Sequence, residues 1–163
     1  MLKIRSGIGY DIHKLVKGAG LYIGGIKVAD QLEFVAHSDG DVLIHAVIDS
    51  LLGAIGEDDI GQKFPDTDPK YKDIDSKILL SETARLLQSQ EFEIINIDCV
   101  IVAEQPKLSG HKQAIREQLA SLLKVPFDAV NVKAKTKEKI ETDAVGRGEA
   151  IECFCVSMVR KTN

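Results

Sequence analysis

Strand-like and helix-like stretches are interspersed along all 163 residues, and this interleaving constrains the fold more than any other feature of the chain. Apolar and polar residues alternate from Leu2 to His13, which places Ile4, Ile8, Tyr10 and Ile12 on one face of a predicted strand. Two short apolar runs, Leu21 to Ile23 and Ile26 to Val28, flank Gly24-Gly25 and read as a tight hairpin. Val35 to Asp41 is polar and turn-like. Val42 to Ile55 is rich in helix formers, follows the competent N-caps Ser38, Asp39 and Asp41, and is stopped by Gly56. Glu57 to Asp73 reads as a long acidic loop, a length that usually signals function or disorder. A second helix begins at Asp75 or Ser76, with Ile78, Leu79, Ala84, Leu86 and Leu87 as its buried side. A third is capped by Ser109, carries the stripe Ile115, Leu119, Leu122 and Leu123, and ends at Pro126. Ile94 to Glu104, Val130 to Thr136 and Ile151 to Val159 supply the remaining strands. No internal repeat and no shift in composition divides the chain. The expectation is one domain over residues 1–163, α+β in an α/β manner, with helices packed on one face of a single sheet.

Composition excludes more than it selects. With 44% hydrophobic and 28% charged residues the chain can build an ordinary core without staples. A net charge of −4 and the lack of a basic run argue against nucleic acid or an anionic membrane as partner. No apolar stretch approaches the roughly 18 residues of a membrane span. Met1 to Tyr10 lacks the apolar core of a signal peptide, so a cytoplasmic location is expected. Cys99, Cys153 and Cys155 match no metal or redox spacing and read as reduced core thiols.

Chemistry concentrates in a few places. Asp11 and His13 are two apart on a strand and share a face, and His45 follows one turn into the first helix. Together they form an N/N/O set that suits zinc and leaves a coordination position open. Taken singly, each residue reads equally as an ordinary hydrogen-bonded group. Asp49, one turn beyond His45, either orients its imidazole or is simply solvated. His37-Ser38-Asp39 precedes a helix N-terminus that suits phosphate, or merely caps it. The acidic loop carries Asp59, Gly61, Asp66 and Asp68 without the calcium-loop pattern. Ala134-Lys135-Thr136-Lys137-Glu138-Lys139 combines ammonium groups, a hydroxyl and a carboxylate. It reads as a diphosphate site with Mg²⁺ or Mn²⁺ on Glu138, or as a charged surface turn. Gly146-Arg147-Gly148 is either an anion-binding nest or a flexible turn.

Several blocks occur in one order: Gly9-Tyr10-Asp11-Ile12-His13, Ala36-His37-Ser38-Asp39-Gly40-Asp41-Val42, His45, Asp59-Ile60-Gly61, Phe64-Pro65-Asp66-Thr67-Asp68-Pro69 and Asn131-Val132-Lys133-Ala134. Together they resemble the 2-C-methyl-D-erythritol 2,4-cyclodiphosphate synthase family over almost the whole chain. The resemblance implies a non-mevalonate isoprenoid enzyme, a cyclising phosphorus–oxygen lyase. Its substrate would be 4-diphosphocytidyl-2-C-methyl-D-erythritol 2-phosphate, and its products the cyclic diphosphate and CMP. It also implies a homotrimer with active sites between subunits. By motif, Asp11, His13 and His45 would hold zinc, and Glu138 a Mg²⁺ or Mn²⁺ ion. His37 and Ser38 would contact substrate phosphate, with His37 and Thr136 in catalytic positions. Asp59, Gly61 and Asp66 would hold the methylerythritol hydroxyls. Ala103, Pro106, Lys107 and Leu108 would line the cytidine pocket with Ala134, Lys135 and Thr136, and Arg147 joins the substrate-binding set. The chain departs from the family at Lys135-Thr136-Lys137, where threonines are common, and at Ile140 to Val145, a longer segment without the usual aromatic. A phosphohydrolase, a nucleotide-sensing trimer without turnover and a structural zinc site are the competing readings.

Overall fold

The computed structural model describes residues 3–36, 38–65, 67–71 and 74–162. Strands β1 (Ile4–Lys17), β4 (Leu32–Val35), β5 (Phe92–Val102), β6 (Val130–Lys135) and β7 (Ala150–Lys161) form a five-stranded sheet in the order β4-β1-β7-β5-β6. Only the β5–β6 pair is parallel among these pairings; the others are antiparallel. The small hairpin β2 (Leu21–Ile23) and β3 (Ile26–Ala29) stands apart as its own sheet. Helices α1 (Val42–Ile55), α3 (Ser76–Ser89) and α4 (Lys112–Leu123) supply the other layer, and a four-residue helix α2 (Ile60–Lys63) follows α1. This is the expected α+β class.

The inner face of β1 explains where α1 lies. Residues Gly7, Gly9, Asp11, His13 and Leu15 share that face, because side chains alternate along a strand. A Cβ built on Gly9 would sit 1.9 Å from the Ala46 carbonyl oxygen, and one on Gly7 2.0 Å from that of Ser50. The helix backbone thus lies directly on the strand, a distance only glycine tolerates. The apolar residues Ile4, Ile8, Tyr10 and Ile12 occupy the opposite face and are exposed. Helix α1 is buried on nearly every side, including Leu43, Ile44, Val47, Ile48, Leu51 and Leu52. Such an all-round apolar helix belongs inside a structure rather than on its surface. It is sandwiched between the sheet and α3.

Asp41 fixes the start of α1. Its side chain accepts hydrogen bonds from the Ile44 amide (3.1 Å) within the helix and from Gly24 (2.9 Å) and Gly25 (2.7 Å) in the hairpin turn. One buried carboxyl group therefore caps the helix and pins the hairpin to it. Burial pushes its pKa up to about 6, against the opposing effect of these three amide donors.

Several expectations are corrected. The acidic segment is not structureless, since it holds α2 and a 3₁₀ turn at Pro69–Tyr71. The strand β4 was not expected, and its residues carry too short a pattern to reveal it. Ser109 does not cap the third helix, which starts later, after His111. On α3, Ile78 is exposed while Leu79, Leu80, Thr83 and Leu87 face inward. Among the described residues no helix is long and apolar enough to cross a membrane.

Candidate active site

The register of β1 and the first turn of α1 bring three side chains to one point. Asp11 Oδ2 lies 2.8 Å from His13 Nε2 and 3.0 Å from His45 Nδ1, and the two ring nitrogens are 3.0 Å apart. Asp11, His13 and His45 are the group of three potential ligands that comes together among the described residues. Burial alone would raise the Asp11 pKa, but hydrogen bonds and charge from His13 and His45 hold it well below the usual carboxylate range. The carboxylate is therefore anionic throughout the neutral range, and two imidazoles converge on it. A borderline-soft divalent cation fits this donor set.

Around this cluster His45 is held from behind. Its Nε2 lies 2.9 Å from Ser76 Oγ at the start of α3 and 3.3 Å from Ser38 Oγ. Asp49 does not touch it. The Asp49 carboxylate instead accepts from the Ile60 amide at 2.8 Å and anchors α2, and burial raises its pKa. The open side of the cluster faces a cavity of about 270 Å³ lined by His13, Ser38, His45, Gly61, Phe64 and Tyr71 among others. Asp59 is nearby in sequence but serves as the N-cap of α2, accepting from Gln62 N at 2.9 Å. His37 and Asp66 lie outside the described residues.

A second cleft, of about 200 Å³, opens where β5 and β6 end. Ala103, Pro106, Lys107, Leu108, Ala134, Lys135 and Thr136 all line it, and Ser109 and Lys112 join them. The sequence reading missed Lys112, whose place in the first turn of α4 becomes apparent only once Ser109 is excluded as the cap. Glu104 also lines the cleft, and its Oε1 accepts from the amides of Lys137 (2.7 Å) and Lys139 (3.2 Å). That tie holds a turn in which Glu138 and Lys139 both adopt positive φ. Glu138 Oε1 accepts from the Thr136 hydroxyl at 3.1 Å.

Two charged groups of this region are already engaged. Lys137 Nζ pairs with Asp143 (2.6 Å) and Glu152 (3.2 Å). Arg147 pairs with Glu149 at 3.0 Å and lines neither cleft. The Gly146-Arg147-Gly148 amides bond to Asp143 Oδ1, the Asp143 carbonyl and the Val145 carbonyl, so this turn is no anion nest. Among the described residues the two clefts share no lining residue, and Glu138 is not part of the Asp11 cluster. Cys99, Cys153 and Cys155 are buried and free. Hydrogen bonding to Cys155 and burial raise the Cys99 pKa, and burial raises that of Cys153, so these two thiols stay protonated.

A mixed sheet backed by helices, with an open N/N/O cluster beside one cleft and a lysine-flanked cleft elsewhere, defines an α+β protein suited to a cation and a phosphorylated small molecule. The YgbB family matches residues 4–160, and the chain belongs to it. The 2-C-methyl-D-erythritol 2,4-cyclodiphosphate synthase of Desulfosudis oleivorans is 47% identical over 156 residues, 96% of this chain and 92% of that protein. The bifunctional IspDF of Campylobacter jejuni superposes with a TM-score of 0.95 at 36% identity, covering all of this chain and 44% of that one. An IspF–CDP complex from Plasmodium falciparum matches with a TM-score of 0.85 at 34% identity, over 98% of this chain and 97% of that one.

Proposed function

We propose that this chain converts 4-diphosphocytidyl-2-C-methyl-D-erythritol 2-phosphate into 2-C-methyl-D-erythritol 2,4-cyclodiphosphate and CMP, as a single domain over residues 1–163 working in the cytoplasm. The observation that carries this reading is the convergence of Asp11, His13 and His45 on one point at the mouth of a cavity. Curated synthases at 47% and 46% identity and a CDP-bound structural relative support the reaction and the cytidine diphosphate moiety. Buried free thiols fit a reducing compartment.

In the reaction an oxygen of the 2-phosphate forms a bond to the β-phosphorus. The bond from that phosphorus to the oxygen bridging the α-phosphate breaks, and CMP departs with this oxygen. The attacking phosphate is already largely dianionic, since its second pKa is about 6, so no serine or cysteine nucleophile is required. The task is to bring two anions together and hold them in line. Zinc held by Asp11, His13 and His45 and Mg²⁺ or Mn²⁺ held by Glu138 would supply charge neutralisation and polarisation of phosphoryl oxygens. Ser38 and His37 bind phosphate; Asp59, Gly61 and Asp66 hold the methylerythritol hydroxyls. Ala103, Pro106, Lys107, Leu108, Ala134 and Lys135 enclose the cytidine. Thr136 presents its hydroxyl to the diphosphate and orients Glu138 beside it. Arg147 remains in the substrate-binding set only as a charge outside both clefts. Fixing the reacting groups in one geometry can remove up to about 7–11 kcal/mol of barrier.

The working unit in this reading is a homotrimer. Ile8, Tyr10, Ile12, Phe154 and Val156 expose a contiguous apolar face on β1 and β7, and Ile8 is 72% exposed. Such a patch is a feature of interfaces. Assembly would also supply the missing proximity between the Asp11 cluster and a partner's nucleotide cleft. Incubating the purified protein with substrate and following phosphorus resonances tests the reaction. A cyclic diphosphate with stoichiometric CMP is expected; two linear phosphates would instead assign a phosphohydrolase.

A further inference from the structure

We infer that Ser76 and Asp39 form a positioning relay that fixes the tautomer of His45, so that Nδ1 carries the lone pair offered to the cation. The inference rests on the reading that Asp11, His13 and His45 hold that cation.

The argument is one of donor and acceptor polarity. The Asp39 carboxylate only accepts hydrogen bonds. It receives the backbone N–H of Ser76 at 3.0 Å and the Ser76 hydroxyl in a short contact. It also accepts from the Asp41 amide at 3.2 Å, and the Asp39 amide donates to the Ile74 carbonyl at 3.2 Å. The loop before α1 is thereby tied to the start of α3 by both backbone and side chain. With its single proton committed to Asp39, the Ser76 hydroxyl faces His45 with lone pairs alone. His45 Nε2, 2.9 Å away, must then be the donor. Ser38 Oγ, 3.3 Å from the same nitrogen, already takes a hydrogen bond from the Gly40 amide and is a weaker second acceptor. With Nε2 kept as the donor to Ser76, Nδ1 is the ring nitrogen whose lone pair a cation takes. That atom points at Asp11 Oδ2 and His13 Nε2, 3.0 Å from each.

Burial makes the relay consequential. Ser76 is fully buried and His45 is 8% exposed, so bulk water cannot substitute for a missing partner. Both residues are also locked by their elements, His45 in the first turn of α1 and Ser76 as the first residue of α3. Outer partners of metal-bound imidazoles typically change affinity by 10–100-fold when removed. The sequence carries no sign of this link, because Asp39 and Ser76 are far apart and each reads as an ordinary helix cap.

The test combines ring-nitrogen chemical shifts of His45 in the zinc-loaded protein with zinc affinity from chelator competition. The wild type should show a protonated Nε2 and a metal-bound Nδ1. Ser76→Ala should lower zinc affinity about 10–100-fold, and Ser76→Thr should restore it. Asp39→Asn provides a second variant should Ser76→Ala not fold. Its amide can donate to Ser76, freeing the hydroxyl proton to compete with the Nε2 proton, and zinc affinity should fall likewise. A wild-type zinc complex with the metal on Nε2 and the proton on Nδ1 would overturn the relay without any variant. Zinc affinity within twofold of the wild type in a folded Ser76→Ala or Asp39→Asn protein would also overturn it. Failure of the wild type to bind zinc at all would instead overturn the cation reading.

Discussion

The Asp11 cluster and the turn from Thr136 to Lys139 are built on opposite principles. The cluster is assembled by the core. Two residues of β1 and one of α1 meet because glycines let the helix backbone rest on the strand, and α3 braces His45 from behind. The turn is held by its neighbours, by Glu104 and by the ion pairs of Lys137 with Asp143 and Glu152, and Thr136 and Glu138 are exposed. The first region brings its three potential ligands together within one chain. The second presents Thr136 and Glu138 on an exposed surface. A site arranged in this way offers its cation ligands ready-made, and the proposed homotrimer would bring a partner's turn to them.

The most direct way to break this contrast is to remove a ligand from the built half. His45→Ala should abolish zinc binding and lower CMP release by about 10³-fold, equivalent to about 4 kcal/mol of transition-state stabilisation. The variant leaves the buried apolar residues of α1 in place, so the fold should survive, with an unchanged circular dichroism spectrum. Full CMP release from a zinc-free variant would show that the cluster is not the catalytic half.

Gly9→Ala tests whether the core assembles the cluster. The new methyl group would meet the Ala46 carbonyl at 1.9 Å, and that atom is backbone that cannot rotate away. Overpacking of this kind costs about 1–3 kcal/mol, and the upper end is expected here. Because Ala46 neighbours His45, zinc affinity should fall together with the denaturation midpoint. Loss of stability with unaltered zinc affinity would separate the cluster from the strand–helix contact.

The sequence made one of these halves more legible than the other. Helix α1, the Gly24-Gly25 hairpin and the strand positions of Asp11 and His13 followed from capping residues, turn chemistry and period-two alternation. The seven expected cleft residues also converge. What the sequence concealed was tertiary. The apolar alternation of β1 marks its outward face, because glycines rather than large side chains face the helix. The role of Asp49 was misjudged because one helical turn of spacing cannot reveal that its carboxylate is taken by the Ile60 amide. Asp39 and Ser76 looked like independent caps because their contact spans 37 residues.

Asp41 sharpens the comparison through pH, since it is the buried carboxyl that positions the α1 N-terminus on the built side. Its pKa rises from 3.8 unfolded to about 6 folded. The native state therefore holds this proton more tightly than the unfolded chain. The associated stability, up to about 3 kcal/mol, is fully present below pH 4 and is lost as pH rises through 6. Asp41→Asn cannot titrate, so subtracting its stability profile from that of the wild type should leave a fall between pH 4 and 7. The variant should also be less stable at low pH, where an amide group faces the Gly24 or Gly25 donor. A flat difference curve would remove Asp41 from the account.

The smallest effect is expected on the exposed half. Glu138 makes its side-chain bond with Thr136, so Glu138→Gln removes one charge and leaves the backbone of the turn tied to Glu104. Zinc content should be unchanged, because Asp11, His13 and His45 form their cluster without Glu138. CMP release should drop by about tenfold, or about 1.4 kcal/mol, and the Mg²⁺ concentration giving half-maximal rate should rise. Because the turn is exposed, thermal stability should move by no more than about 0.5 kcal/mol. Loss of zinc from Glu138→Gln would join the two regions into one metal site. An unchanged Mg²⁺ dependence would leave Glu138 with the task of orienting Thr136 alone, which Thr136→Val would then expose as a change in KM at constant metal requirement.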